Sequence, residues 1–447
     1  IGKLSTIVTT KANSTNPIYG IDGNPIVKDI YFDDTPDDST NNPRWRTILL
    51  GGLGAGGKGL YAIDITDINN PTHLFAISND ESNKAIQHWD SDGFKNEFGY
   101  AGGGIDAKYD YRKLGETWST PRIIRIKVSG KDKWVAVFGG GYNGAVNPDY
   151  ESAVFVMDLE DEGRLLKVID IEDKSADIIN SLPADLSVIT ADGTDKANYD
   201  GAIVYATDLE GKLTKINLTE NFSLICPSGK TCNKDTDKVI KNISATTLFI
   251  AESTSENGRY IYTRPEVTIN NDNKLWLYFG TGNTQKLHEQ SNKIKNRAYG
   301  IKDKDFPNYV NISTPGDIRR CKTAPTCPGS TDLGWYVNLP RAQKLTAEPT
   351  IDKDRVYFPI YEPTTTTNAC NTGKAILTAY DTKCGNSVLN VHLGTGVLSK
   401  VVVQGDNLYI GIAGEAKKNI AGFTSTGNLI TGKSSKAKGS GGGKVQL

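Results

Sequence analysis

The chain predicts an all-β fold, a modified β-propeller of six to seven blades with loop insertions, and three recurring features predict it. Proline opens successive segments at Pro25, Pro121, Pro265 and Pro349. That placement suits a first strand, where a missing N–H is least missed. A middle run closes on glycine at Gly51, Gly139 and Gly280. A third run ends in aspartate, as YAID, FVMD, YATD and TAYD, which carry Asp64, Asp158, Asp208 and Asp381. In three of these a glycine turn follows closely and supplies the positive φ that reversal into a fourth strand needs. A stacked array of β-sandwiches would also use many glycines, yet it does not account for the shared proline opening and aspartate ending.

Taken in order, Ile1–Gly23 is polar and reads as a strap or closing strand. The propeller domain spans residues 24–431, and residues 432–447 form a flexible Gly/Ser/Lys tail. IVKDIYF leads through the acidic loop Asp33–Asp38 to RTILLGGLGAGGKGLYAIDIT, two strands about a glycine-rich turn, with His73–Ile77 as the fourth strand. Ser78–Gly115 reads as a long irregular excursion. The second unit reads PRIIRIKV, KWVAVFGGGYN and SAVFVMDLEDEG. The third reads DLSVIT, GAIVYATDLEG and KLTKINL. YTRPEVTI, KLWLYFGTGN, RAYGIKD and GWYVNLP make the fourth. AEPTI, RVYFPIYE and AILTAYDTKCG make the fifth, and KVVVQGDNLYIGIAG with NIAGFTSTGNL the last.

Composition narrows the function. Fifty-one basic against 52 acidic side chains leave a net charge of −1, so no global field favours nucleic acid or an anionic membrane surface. No run of 18 apolar residues is present, so no transmembrane segment is expected. The chain begins at Ile1 without a charged-plus-apolar leader and reads as a processed or excised fragment. Its six cysteines fall into local pairs, Cys226/Cys232, Cys321/Cys327 and Cys370/Cys384, each bracketing a polar loop. Zinc sites favour tighter spacings with histidines nearby, and the four histidines lie elsewhere, so three local disulfides are expected, implying a periplasmic, surface or secreted setting.

Candidate sites are few. The run Gly51–Gly59 precedes a strand rather than a helix, so it reads as a tight turn and not a phosphate cradle. Repetition makes the four aspartates turn caps rather than acid–base groups. Asp192–Asp200, DGTDKANYD, is the best metal candidate. A calcium loop places oxygen donors at alternate positions, here Asp192, Thr194, Lys196, Asn198 and Asp200. The ammonium of Lys196 opposes a divalent cation, so a solvated polar hairpin loop stands as the alternative. Asp33–Asp38 and Asp90–Asp92 lack regular donor spacing. Trp118, Trp134, Trp276 and Trp335 read as blade packing. The Asn-x-Ser/Thr tripeptides Asn217–Thr219 and Asn311–Ser313 carry no assigned role. No nucleophile–base pair stands out, which argues against an enzyme.

The blocks RTILLGGLGAGGKGLYAIDIT, WSTPRIIRIK, KWVAVFGGGYN, VYATDLEGKLTKINL, GWYVNLP, LTAEPTI and RVYFPIY, in that order, resemble the C-terminal domain of the PilC/PilY family of type IV pilus biogenesis factors and pilus-tip adhesins. The resemblance covers about Asn24–Gly427. It implies a modified β-propeller related to quinoprotein dehydrogenases without their cofactor chemistry. It also implies a location at the outer membrane and pilus tip of a Gram-negative bacterium, reached through the periplasm. The implied work is non-enzymatic: promotion of pilus assembly against retraction, twitching motility and host-cell adherence. Minor pilins, and a host-cell receptor, are the implied partners. The family's N-terminal half is absent here, as expected of an excised C-terminal domain. The family's calcium loop corresponds to Asp192–Asp200, with Asp192, Asp195, Asn198 and Asp200 as the side chains for Ca²⁺, although Thr194 and Lys196 depart from the family pattern. The alternatives are a quinone-dependent dehydrogenase, whose vicinal cysteine pair is missing, and a generic periplasmic scaffold propeller.

Overall fold

The computed structural model describes residues 19–32, 44–98, 107–142, 152–171, 177–190, 201–270, 273–364 and 372–434. The chain divides into two compact units. One comprises Ile1–Glu172, Asn180–Ile203 and Asn217–Ser244, the other Asp173–Ile179, Val204–Ile216 and Ala245–Leu447.

In the first unit, period-2 alternation builds an antiparallel meander of Ile26–Phe32, Arg44–Gly52, Gly59–Asp64 and Thr72–Asp80. Ile30, Ile48, Leu50, Leu60, Ala62, Phe75 and Ile77 point into one core while Val27 and Trp45 face out. The expected excursion after Ser78 is partly regular. Ala85–Asp90 and Gly93–Phe98 form a hairpin that extends this sheet to six strands. Its turn is the DSDG motif, with Gly93 at φ +96°. Weak apolar content hid this pair, since Trp89 and Phe94 stack across the strands on the exposed face at 4.6 Å.

A second sheet in this unit orders Leu165–Asp170, Ala153–Asp158, Lys131–Gly139 and Arg122–Val128, with Asn221–Phe222 added in parallel. Every residue of Ala153–Asp158 is buried, as a continuous apolar run in a central strand should be. The glycine-rich turn between Gly52 and Gly59 is tied by Thr117. Its hydroxyl accepts from the Leu53 N–H at 2.7 Å and donates to the Gly59 carbonyl at 2.8 Å. The end of the strap lies against the same turn, where the Asp22 N–H reaches the Leu53 carbonyl at 3.0 Å. A Cβ on Gly56 would meet the Gly20 oxygen at 1.5 Å, so that glycine is required by close approach.

In the second unit, Ile203–Thr207, Lys212–Asn217 and Ala245–Ile250 are neighbours in one sheet. A further sheet orders Glu266–Ile269, Leu275–Gly280, Arg297–Asp303 and Gly334–Asn338, and Cys321–Thr323 runs parallel beside the last. Trp335 and Trp276 are buried in its core, as expected for packing tryptophans. The fifth and sixth repeats are continuous. Ser387–Leu398 pairs along its first part with Lys374–Asp381 and along its second with Asn407–Ala416. Gly396, at φ +104°, allows the crossing, because a Cβ there would meet the Ala413 oxygen at 2.1 Å. The closing strand Leu429–Lys433 runs two residues into the expected tail, and the Ser434 hydroxyl bonds Asp352.

One buried charge cluster holds the second unit. The Lys215 ammonium lies 2.8 Å from the Asp303 carboxylate with both side chains fully enclosed. The Tyr205 hydroxyl donates to the same carboxylate oxygen at 2.6 Å. Removing the cation alone leaves a buried carboxylate without its counter-charge, so Lys215→Met should cost about 3–5 kcal/mol. Chemical denaturation of the two proteins measures it, and the deficit should shrink when Asp303→Asn is added.

Candidate functional site

The four strand-end aspartates act as turn caps. Asp64 accepts the Thr66 N–H at 2.9 Å, Asp158 that of Glu160 at 3.0 Å and Asp208 that of Lys212 at 2.9 Å. Asp381 accepts three, from Lys383 at 3.0 Å, Cys384 at 2.7 Å and Asn386 at 2.6 Å. Asp303, which ends RAYGIKD in the fourth repeat, accepts the Asp305 N–H at 3.1 Å and completes the set. The sequence reading missed it, though its position at a strand end was the available signal. Most of these caps also face a cation: Arg46 lies 3.8 Å from Asp64, Lys133 2.7 Å from Asp158, and Lys212 3.6 Å from Asp208.

The candidate calcium residues Asp192, Asp195, Asn198 and Asp200 lie outside the described residues. Their loop's entry and exit are described and firmly built. Before it, the Asp185 carboxylate accepts the Thr120 N–H at 2.6 Å and Ser187–Ile189 forms a short buried strand. After it, Gly201 donates to the Arg125 carbonyl at 2.7 Å, and Ala202 and Leu218 exchange backbone bonds. Gly201 sits at φ +89°, where a Cβ would strike the Leu218 oxygen at 2.5 Å. Asp33–Asp38 also lie outside the described residues, whereas Asp90 and Asp92 are occupied internally. His88 is 3.0 Å from Asp90 and 3.1 Å from Glu97, and Lys95 reaches Asp92 at 3.0 Å. Among the described residues no group of three His, Cys, Asp or Glu side chains is arranged to hold a metal. The Asn217 carboxamide is engaged with Thr219 and Glu220 in a local turn.

The cysteine pairing is partly corrected. Cys226–Cys232 is bridged as expected, closing the loop between Leu224–Ile225 and Val239–Ile240. The pairs Cys321/Cys327 and Cys370/Cys384 give way to Cys327–Cys384, and Cys321 is a buried free thiol. Cys370 lies outside the described residues. The reason is tertiary. Cys321 belongs to the strand laid beside Gly334–Asn338, and burial pushes its thiol up to about 12. Gly385 packs on Trp335 and Ala324, which brings Cys384 to the loop carrying Cys327. A local-pair rule has no access to a contact 57 residues apart.

One buried lysine stands out. The Lys344 ammonium donates to the carbonyls of Leu287 at 3.1 Å, Glu289 at 2.5 Å and Ala342 at 3.3 Å. Burial pulls its pKa down to about 8, against a partial opposing pull from Glu289.

Serial antiparallel repeats, five of them ending in the same capping carboxylate, define the chain as a β-propeller domain. A family model described as the PilY1 beta-propeller domain matches residues 3–321. The chain belongs to this family. Among curated relatives, a type IV pilus biogenesis factor PilY1 homolog of Xylella fastidiosa is 24% identical over 405 residues, covering 83% of this chain and 23% of that protein. The type IV pilus biogenesis factor PilY1 of Pseudomonas aeruginosa is 27% identical over 320 residues, covering 69% of this chain and 23% of its own length. The chain thus spans under a quarter of these relatives. The crystal structure of the Pseudomonas aeruginosa PilY1 C-terminal domain superposes with a TM-score of 0.56 at 16% identity, over 88% of this chain and 82% of that one. Among the described residues, no helix is long and apolar enough to cross a membrane.

Two outcomes follow from these contacts. Loop-closure entropy assigns about 4 kcal/mol to the long Cys327–Cys384 loop and about 2.5 kcal/mol to the short Cys226–Cys232 loop. Denaturation of Cys384→Ser and Cys226→Ser should rank in that order, and non-reducing peptide mapping should recover Cys327 joined to Cys384. For Lys344, the folded pKa of about 8 lies below the ordinary 10.5. Between those values the unfolded chain holds more protons, so stability rises with pH across that window. Unfolding titrations at pH 7.5 and 10 should show the rise, and Lys344→Met should reduce it.

Proposed function

We propose that this chain is the propeller domain of a type IV pilus biogenesis factor that acts at the cell surface, at the outer membrane and pilus tip of a Gram-negative bacterium. The single observation carrying the proposal is the family match over residues 3–321, joined to relatives named as type IV pilus biogenesis factors. In this reading the domain works by binding. It engages minor pilins, promotes assembly against retraction, and so supports twitching motility and adherence to host cells. A propeller suits such work, since its sheets form a rigid support and its loops supply the contacts. The disulfides at Cys226–Cys232 and Cys327–Cys384 agree with an oxidising compartment.

Calcium modulation through Asp192, Asp195, Asn198 and Asp200 is part of the same proposal. What supports it is the donor-rich sequence of the loop and the rigid stem at Asp185 and Gly201. The expected consequence is that Ca²⁺ binding changes the affinity for a pilin rather than any catalytic rate.

Deleting the gene from a piliated strain should abolish surface pili and twitching, and the full-length gene should restore both; unchanged pili would sink the proposal. Calorimetric titration of the chain with Ca²⁺ should give heat that Asp200→Ala loses. Absence of heat in both proteins would retire the calcium reading alone.

A further inference from the structure

The second unit contains a cleft of about 360 Å³ that neither the capping aspartates nor the calcium loop uses. It lies between the end of Arg297–Asp303, the connection that follows it, and the strand Ala245–Ile250. Its walls are firmly held. Gly316 donates to the Leu248 carbonyl at 3.0 Å and accepts from the Ile250 N–H at 2.9 Å. The Thr246 hydroxyl and Ile312 backbone exchange bonds of 2.8 and 3.0 Å. The opposite wall is tied by the Leu333 N–H to the Arg320 carbonyl at 2.7 Å.

The lining combines two chemistries. Lys302, Lys304 and Arg320 bring three cations, and Asp305 brings one carboxylate. Lys302 Nζ donates to the Gly329 carbonyl at 3.1 Å and Lys304 Nζ to the Thr331 carbonyl at 2.7 Å. An ammonium has three donors, so the half-buried Lys304 keeps N–H groups to offer, whereas the buried Lys302 Nζ also lies over the Trp276 ring at 5.4 Å and contributes its charge. The second chemistry is apolar, from Leu248, Val310, Ile312 and Leu333, with Val310 45% exposed at the surface. Lys304 feels the other two cations. Burial pulls the Lys304 pKa down, and Arg320 and Lys302 add to that pull, while Asp332 and Asp305 oppose it. An anion seated among them would relieve the repulsion.

We propose that this cleft is a binding site for a carboxylate joined to an apolar group, the cations taking the carboxylate and the Leu248–Val310–Ile312–Leu333 wall taking the hydrocarbon. The occupant is a monoanion. Asp305 in the same lining repels a second negative charge, which disfavours phosphate. The volume is at the small end of ligand sites, which run from about 300 to 1,000 Å³, and fits one side chain with its carboxylate. A peptide C-terminus with an apolar last residue and a free organic acid share this chemistry. The proposal stands apart from the pilus reading, since it rests on this lining alone.

Saturation-transfer NMR and calorimetry on the full chain test it with N-acetyl-leucine, N-acetyl-leucinamide and inorganic phosphate. The acid should bind, and the amide and phosphate about tenfold more weakly or not at all. Arg320→Ala and Val310→Asp, both at exposed positions, should each weaken the acid by a similar factor with the thermal transition unchanged. Arg319→Ala should not, because its guanidinium is exposed and paired with Asp317 outside the lining. A blocked peptide ending in leucine that binds about tenfold tighter than N-acetyl-leucine identifies a polypeptide C-terminus as the source, whereas equal affinity identifies a small acid. Equal binding of acid and amide, tighter binding of phosphate, no binding of any probe, or full affinity in Arg320→Ala overturns the proposal.

Discussion

The strand-end carboxylate is the interaction on which these repeats depend. A tight turn leaves backbone N–H groups unpaired, and burying them without acceptors costs about 1–3 kcal/mol each. Asp64, Asp158, Asp208, Asp303 and Asp381 supply those acceptors at the same point of successive repeats. Doing so with a charge creates a second demand, because Asp158, Asp208 and Asp303 are themselves fully buried. The answer is a cation: Lys133, Lys212 and Lys215 respectively. The cap therefore determines both the turn and the polar residue that has to stand near it.

This arrangement explains why charged residues sit in strands that otherwise read as core. KLTKINL looks half-polar, yet Lys212 and Lys215 are both buried, one facing Asp208 and the other Asp303. Through Lys215, Asp303 joins the third repeat to the fourth, and both residues belong to one compact unit. The cost of enclosing Lys215 is met by the carboxylate, by the Asn308 carbonyl at 3.3 Å and by the face of Tyr309.

Rigid strands with anchored loop ends are a sound base for recognition. The calcium candidate loop leaves and re-enters through Asp185 and Gly201, and the anionic-ligand cleft is walled by backbone bonds from Gly316 and Ile312. The hairpin Ala85–Phe98 follows the same pattern, for its inner face is held by His88 stacked on Tyr109 at 3.9 Å while Trp89 and Phe94 remain outside.

Much of the architecture was legible in the residues themselves. Proline openings, glycine closings and the aspartate endings are local devices, and local devices can be read without knowing what lies across the chain. The fold class, the order of the repeats, the role of Asp64, Asp158, Asp208 and Asp381, and the Cys226–Cys232 bridge were all of this kind. Tertiary structure decided the remainder. Cys384 meets Cys327 because Gly385 packs on Trp335; Lys215 finds Asp303 across the unit; Arg320 joins Lys302 and Lys304 at one cleft from a separate segment. Each of these joins residues whose spacing carries no periodic signal, so only the closed chain could bring them together.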